Sequence, residues 1–167
     1  CSSRGGGSRT WPDAWSAPRA TERRPGFERW LASRGWSPAD AKAGAVRVVR
    51  MLVTTLASAD GQWVLRRRPD AAAELALTRV GSGGTPVTRV VDRSFVEDGV
   101  RWIIDYKTVD LGNAAGLPQL KDHARRYQSQ LESYAVLFAA EGLPLRLAVF
   151  YVAHGILASL EYNPHFD

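Results

Sequence analysis

The sequence predicts an α/β fold in which helices flank a central mixed β-sheet. The first observation is a helical spacing of apolar residues between Gly26 and Ser58. The second is a series of three strand-like runs between Ala73 and Val109, and the third is a long helical segment followed by the apolar run LRLAVFYVA. Helices, three strands, a long helix and one or two further strands, in this order, are typical of an α/β sandwich.

The first 25 residues are rich in Gly, Ser, Pro and Arg and show no apolar period. This composition predicts a flexible linker or arm at residues 1–25, with the folded domain at residues 26–167. At 167 residues the chain is long enough for one domain with a sizeable core. The chain starts with Cys1 instead of methionine, so we expect it to be a fragment of a longer protein.

Two helices are predicted before the strands. The segment FERWLASRG, residues 27–35, spaces its apolar residues by three and four, which predicts a helix that its glycine ends. Ser37 and Pro38 have the pattern of an N-cap and a first-turn proline, so a second helix is predicted from about Pro38 to Ser58. The segment QWVLRR, residues 62–67, is interpreted as a short strand or the end of a loop.

Three strands are predicted at residues 73–80, 87–96 and 101–109, with a hairpin connection at residues 81–86 and a turn at Asp98-Gly99. They form a three-stranded meander. A long helix is expected from about Gln119 to Glu141, capped by Gly142. The runs LRLAVFYVA (145–153) and ILASLEYN (156–163) predict the last strands.

Composition narrows the function classes. The net charge is +5 and the isoelectric point about 9.8, carried almost wholly by arginine, which favours a nucleic-acid partner. Arginine-rich codon usage in a high-GC genome is the alternative explanation of this charge.

The single cysteine, Cys1, excludes an internal disulfide and a cysteine-rich zinc site. No run has the length of a membrane span and no signal peptide is recognisable, so we expect no membrane association and a cytoplasmic location.

One stretch, Val90 to Gly112, carries the candidate chemistry. Asp105 and Lys107 are two residues apart in a strand and therefore share a face, and hairpin pairing brings Asp92 near them. Two carboxylates suit Mg²⁺ or Mn²⁺, the Tyr106 backbone carbonyl offers another oxygen ligand, and lysine stabilises charge on a phosphate. This pattern indicates metal-assisted phosphodiester hydrolysis. The alternative is a surface salt bridge between Asp105 and Lys107 on an edge strand.

The combination of IIDYKT with YQSQLESYAVLF about twenty residues later resembles the RecB-type nuclease domain of the PD-(D/E)xK superfamily. The likeness is greatest to the domain at the C-terminal end of AddA and RecB helicase–nuclease subunits, and it covers roughly Glu74 to Tyr151. The resemblance implies a restriction-endonuclease-like sandwich. It also implies that Asp92 and Asp105 bind the metal and that Lys107 is the catalytic lysine.

The same resemblance implies roles for residues outside the strand motif. Gln130 and Tyr134 match a Q-x-x-x-Y pair that supports the site or contacts DNA, while Tyr127 and Glu74 are possible additional site residues. Without the strand motif, Gln130 would be an ordinary polar helix position and Tyr134 a core residue. Glu74 is equally compatible with an exposed strand position.

Two departures from the family pattern bear on activity. The family usually has a glycine where Arg89 stands, and it commonly has a metal-binding histidine upstream of the strand motif. Here every histidine lies downstream: His123, His154 and His165. His123 is expected to be exposed to solvent and not a ligand.

The resemblance implies an Mg²⁺- or Mn²⁺-dependent exodeoxyribonuclease domain of a UvrD/Rep-type DNA helicase–nuclease that acts in double-strand-break repair and recombination. It implies single-stranded DNA delivered by the helicase and an AddB- or RecC-like partner subunit. The chain contains no GxxxxGK[ST] motif, so no ATP site is expected in it. The alternatives are an inactive nuclease-fold module for DNA binding or scaffolding, and a structural domain whose arginines contact a partner subunit.

Overall fold

A computed structural model describes residues 16–80, 86–112 and 114–162. The helices are α1 (Ala17–Glu22), α2 (Arg24–Ser33), α3 (Pro38–Ala57), α4 (Ala59–Leu65), α5 (Leu117–Ala124) and α6 (Gln128–Phe138). The strands are β1 (Ala72–Val80), β2 (Pro86–Glu97), β3 (Val100–Lys107), β4 (Leu145–Tyr151) and β5 (Ile156–Leu160). Short 3₁₀ turns follow α5 at Arg125–Tyr127 and α6 at Ala139–Glu141.

The five strands form one mixed sheet in the order β1-β2-β3-β4-β5. All neighbours are antiparallel except β3 and β4, which are parallel. A parallel pair needs a crossover connection, and here α5 and α6 provide it. The predicted α/β fold with a mixed sheet flanked by helices is therefore confirmed, as is the meander of the first three strands.

Helices cover the two faces of the sheet. On one face, Ile103 and Leu147 pack with Leu131 and Phe138 of α6. On the other face, Ile104 packs with apolar residues of α4, β2 and β4: Val64, Phe95 and Phe150. Because successive residues of β3 point to opposite faces, Asp105 and Lys107 lie on the α6 face and Tyr106 lies on the α4 face. Both layers are required to bury this strand.

Polar contacts fix the start of α3 and attach the helices to the last strands. Ser37 caps α3 by accepting a hydrogen bond from Asp40 N at 3.1 Å. Farther along, Thr55 donates to the Val152 carbonyl at 3.4 Å, and the Asp60 carboxylate accepts from Leu157 N at 2.8 Å. These bonds fix the helical layer over β4 and β5. No helix within the described ranges is both long and apolar enough to cross a membrane.

Part of the range predicted as a linker is helical. Helix α1 and the start of α2 lie before residue 26, and residues 1–15 lie outside the described part of the chain. Ser16 caps α1 through its side chain, a proline follows in the first turn, and Ala20 is fully buried. Capping and burial of one small residue stabilise a helix that an apolar period does not reveal.

Two other element predictions are wrong. QWVLRR does not form a strand, because most of it belongs to α4, which Ser58 caps by accepting from Gly61 N at 2.9 Å. The long helix predicted from Gln119 to Glu141 is interrupted by the 3₁₀ turn at Arg125–Tyr127. A spacing of three or four residues fits both helix types, so the pattern does not reveal a single 3₁₀ turn. The predicted connection at residues 81–86 lies almost wholly outside the described residues.

The first testable prediction compares two helical glycines. A Cβ at Gly61 would collide with the Thr55 carbonyl oxygen, whereas a Cβ at Gly26 would have nothing within 4 Å. Gly61→Ala is expected to lower the free energy of unfolding by roughly 1–3 kcal/mol or more, as overpacking does. Gly26→Ala is expected to raise it by roughly 0.5–1 kcal/mol. Urea denaturation measures both. Equal effects of the two variants would contradict this packing of α4.

Candidate functional site

The site lies where the β2–β3 ladder ends. The last paired residues are Arg93 and Ile104, and beyond them the Asp92 Oδ2 atom accepts a hydrogen bond from Tyr106 N at 2.8 Å. An aspartate side chain therefore takes the place of the next strand carbonyl. The N–H and C=O groups of one strand residue point toward the same neighbour, so the Tyr106 carbonyl faces the gap beside Asp92.

A kink in β1 and β2 directs Asp92 toward β3. Glu74 lies opposite Asp92 between two regular pairs and has a left-handed φ of 51°. On a regular strand Val91 and Phe95 would share a face, but they pack in clusters on opposite faces of the sheet. Strand β2 therefore turns over around Asp92. The Glu74 side chain is exposed, and among the described residues no hydrogen bond or ion pair joins it to Asp92.

Asp105 is the buried centre of the site, with only 4% of its surface exposed. Its Oδ2 atom lies 2.6 Å from Lys107 Nζ, and its Oδ1 atom accepts a hydrogen bond from Gln130 Nε2 at 3.1 Å. Burial raises the pKa of the Asp105 carboxyl above its ordinary value. Lys107 opposes this rise, and the nearby negative charge of Asp92 adds to it. The structure thus brings both predicted carboxylates and the lysine together.

One oxygen of this buried carboxylate, Asp105 Oδ2, has a single close partner among the described residues. That partner is the Lys107 ammonium group, which lies 2.6 Å away at an angle that is poor for a hydrogen bond. Buried carboxylate oxygens are normally satisfied. Asp105 Oδ2, Asp92 and the Tyr106 carbonyl all offer oxygen, the ligand type that a hard cation such as Mg²⁺ or Mn²⁺ prefers.

The oxygen set is incomplete as a closed metal cage. Within residues 16–80, 86–112 and 114–162, no group of three or more His, Cys, Asp or Glu side chains is arranged to hold a metal ion. Mg²⁺ is often bound by one or two carboxylates together with waters and substrate phosphate. The two aspartates therefore suit an ion that a phosphate ligand also coordinates.

The predicted pair on the crossover helix is joined to this site. Gln130 Nε2 donates both to Asp105 Oδ1 and to the Tyr134 hydroxyl, the latter at 2.7 Å. Both side chains belong to α6 and are four residues apart, so they share one helix face. Tyr134 is buried at 7% exposure and holds the amide of Gln130 in place.

Lys107 is held from two sides. Its Nζ atom contacts Asp105 and also lies 4.3 Å from the centre of the Tyr127 ring, which is within cation–π distance. Tyr127 belongs to the 3₁₀ turn that interrupts the crossover helices. The Lys107 side chain remains 23% exposed, so its ammonium group is fixed but reachable from solvent.

Two residues beside Lys107 differ from the sequence expectations. His123 is partly buried instead of exposed, and its Nδ1 atom lies 2.9 Å from the hydroxyl of Tyr151. Tyr151 is fully buried, and burial raises its pKa to about 12. No sequence pattern identifies Tyr151 as a site residue, because only the β3–β4 register places it beside Lys107.

Among the described residues, neither His154 nor Arg89 forms a hydrogen bond or an ion pair with Asp105. His154 Nε2 accepts from Leu111 N at 3.1 Å, in the loop that follows β3. In the same loop, Asp110 pairs with Arg50 of α3 at 2.7 Å. Arg89 is exposed on β2, and His165 lies outside the described residues.

Comparison with known proteins does not assign a family to this chain. No protein-family model matches the chain, and no curated protein matches it. A solved structure described as "Crystal structure of SSO0001" is similar to it at 18% sequence identity, with a TM-score of 0.33. The similarity covers 90% of this chain and 64% of the solved structure. This chain therefore spans less than two thirds of the length of that structure.

The raised pKa of Asp105 gives the second prediction. The pKa of the Asp105 carboxyl is higher in the folded protein than in the unfolded chain, where it is about 3.9. Such a group contributes its full stability at a pH below the unfolded pKa. The contribution is lost as the pH rises through the folded pKa. Without divalent cations, Asp105→Asn is therefore expected to raise the thermal midpoint at pH 7 to 8. This advantage should shrink toward pH 4, which thermal scans across the pH range can measure.

Asp122→Asn is the matched control, because Asp122 is 82% exposed and pairs only loosely with Arg125, at 3.6 Å. We expect it to leave the thermal midpoint nearly unchanged. A less stable Asp105→Asn protein at pH 8 would show that the Lys107 contact outweighs burial.

Proposed function

We propose that the chain is a metal-dependent DNA nuclease domain of exonuclease type. The observation that carries this proposal is the buried Asp105 carboxylate, whose Oδ2 atom has only the Lys107 ammonium group as a close partner among the described residues, next to Asp92 at the end of β3. Such an arrangement is unfavourable for a purely structural ion pair, because burial penalises the charged carboxylate. It is favourable when a cation and a phosphate complete the site.

Asp92, Asp105 and the Tyr106 carbonyl would hold the Mg²⁺ or Mn²⁺ ion. When bound, such an ion supplies a polarised phosphate and a water of lowered pKa. Lys107 places a positive charge where negative charge develops on the phosphate, and it can orient the attacking water. Gln130 fixes the rotamer of Asp105, and Tyr134 fixes Gln130.

DNA as the substrate is supported by charge. The net charge is +5, and the excess is carried by arginine, whose guanidinium group binds phosphate in bidentate fashion. In our proposal the domain belongs to a cytoplasmic UvrD/Rep-type helicase–nuclease of double-strand-break repair and recombination. The helicase would supply single strands and the ATP site, and an AddB- or RecC-like subunit would be the partner.

A second candidate is an inactive nuclease-fold module that binds DNA or a partner subunit. It is favoured by the contacts that the site already makes. Asp92 is engaged by Tyr106 N, Lys107 is paired with Asp105, and an exposed arginine stands at position 89. This candidate predicts DNA binding without cleavage.

DNA cleavage in Mg²⁺ or Mn²⁺ is the direct test. Asp105→Asn and Lys107→Ala are each expected to slow the release of nucleotides from labelled single-stranded DNA by about 10²–10³-fold, the usual effect of removing one electrostatic contributor. Asp122→Asn and Lys121→Ala are the matched controls, because both residues are exposed on α5. Equal rates for all variants would place the chemistry elsewhere.

Metal binding can be measured without cleavage. Millimolar Mn²⁺ is expected to raise the thermal midpoint of the wild-type protein, because a ligand that binds only the folded state stabilises it. The same Mn²⁺ should have little effect on Asp105→Asn, while the Asp122→Asn control should respond like wild type. If Mn²⁺ stabilises Asp105→Asn as much as wild type, Asp105 is not a ligand.

A further inference from the structure

We propose that His123 is a phosphate-binding residue, whose Nε2–H group donates a hydrogen bond to the DNA strand held beside Lys107. The inference rests on the proposed function for its ligand. It assigns to the site a residue of α5 that lies outside the strand motif and outside the Gln130–Tyr134 pair.

A chain of short contacts connects His123 to Lys107. The His123 ring lies 5.6 Å from the Tyr127 ring, and Tyr127 in turn lies 4.3 Å from Lys107 Nζ. His123 also packs against Tyr151 with ring centres 5.7 Å apart, and Tyr151 stands in register with Lys107 on the neighbouring strand. The imidazole therefore lies one side chain away from the lysine, on the same face of the sheet.

The contact with Tyr151 determines which nitrogen of His123 carries a proton. Tyr151 is fully buried, and His123 Nδ1 is the hydrogen-bond partner of its hydroxyl among the described residues. A buried hydroxyl hydrogen without an acceptor is unfavourable, so Tyr151 donates and the neutral imidazole accepts at Nδ1. The proton of the neutral ring is then on Nε2, and a protonated ring carries one there as well.

In this tautomer His123 presents an N–H donor at Nε2, which suits an anionic ligand such as phosphate. His123 as a whole is partly buried and its Nδ1 is occupied by the buried tyrosine, which leaves Nε2 as the nitrogen available to a ligand. Lys107 and Arg126 lie close to this cluster and favour an anion, while the nearby Asp105 carboxylate is paired with Lys107.

The decisive comparison uses two amides of different length. The nitrogen of a glutamine at position 123 reaches about as far as Nε2, whereas asparagine reaches only about as far as Nδ1. We expect His123→Ala and His123→Asn to raise the KM for single-stranded DNA by about 10- to 100-fold, the usual effect of losing a hydrogen bond to a charged group. We expect kcat to change by less than about 3-fold, because the contact binds substrate and transition state alike.

His123→Gln is expected to restore KM to within about 3-fold of wild type. Tyr151→Phe removes the group that holds the ring and should raise KM by less than His123→Ala does. Lys121→Ala, on the same helix, is the control and should not change KM. Thermal midpoints of all variants separate a loss of folding from a loss of binding.

The Kd for single-stranded DNA, measured by fluorescence anisotropy without divalent cations, distinguishes this inference from the proposed function. If wild type binds but does not cleave DNA, and His123→Ala weakens Kd, the nuclease proposal fails and the inference stands. If wild type cleaves DNA while His123→Ala leaves KM and Kd unchanged, the inference fails and the nuclease proposal stands. An equal rise of KM in His123→Asn and His123→Gln would also overturn the inference about His123. If wild type binds no DNA, both proposals fail.

Discussion

The burial of the Asp105 carboxylate at the end of β3 is the constraint on which the rest of this site depends. A charge so far removed from water needs opposite charge and hydrogen bonds from its surroundings. Strand β3 provides Lys107, α6 provides Gln130, and Asp92 of β2 holds the next peptide group through its N–H. The compensation of Asp105 Oδ2 depends on Lys107 alone, because no other donor among the described residues contacts that oxygen.

The sheet topology explains how distant segments contribute to this compensation. The parallel β3–β4 pair requires a crossover, and its helices lie on the face to which Asp105 and Lys107 point. The register of that pair places Tyr151 beside Lys107. The kink shared by β1 and β2 then moves Asp92 out of the regular ladder, where its carboxylate can reach Tyr106 N. A left-handed residue such as Glu74 is strained, by roughly 1–3 kcal/mol, and residues of this kind are concentrated at functional sites.

The sequence predicts the parts of this structure that depend on local pattern. Strand alternation places Asp105 and Lys107 on one face of the sheet. A spacing of four residues places Gln130 and Tyr134 on one face of a helix. The structure has both arrangements. Features that depend on pairing between strands are not predictable in this way. Tyr151 becomes a neighbour of Lys107 only through the β3–β4 register, and the kink opposite Glu74 changes the face of β2. Helix α4 depends on the Ser58 cap, which a short apolar run does not reveal.

The contacts that hold the site without a metal also set the conditions under which a metal can bind. Lys107 neutralises part of the Asp105 charge, so a cation that approaches Oδ2 must share that oxygen with the ammonium group or displace it. The ammonium group already lies 4.3 Å from the centre of the Tyr127 ring, so this cation–π contact does not depend on the contact with Oδ2. Lys107 can therefore leave Oδ2 to a cation without becoming an unpaired charge, and it remains close enough to contact a phosphate. If the site binds a metal as we propose, metal binding and the repositioning of the lysine are one coupled event.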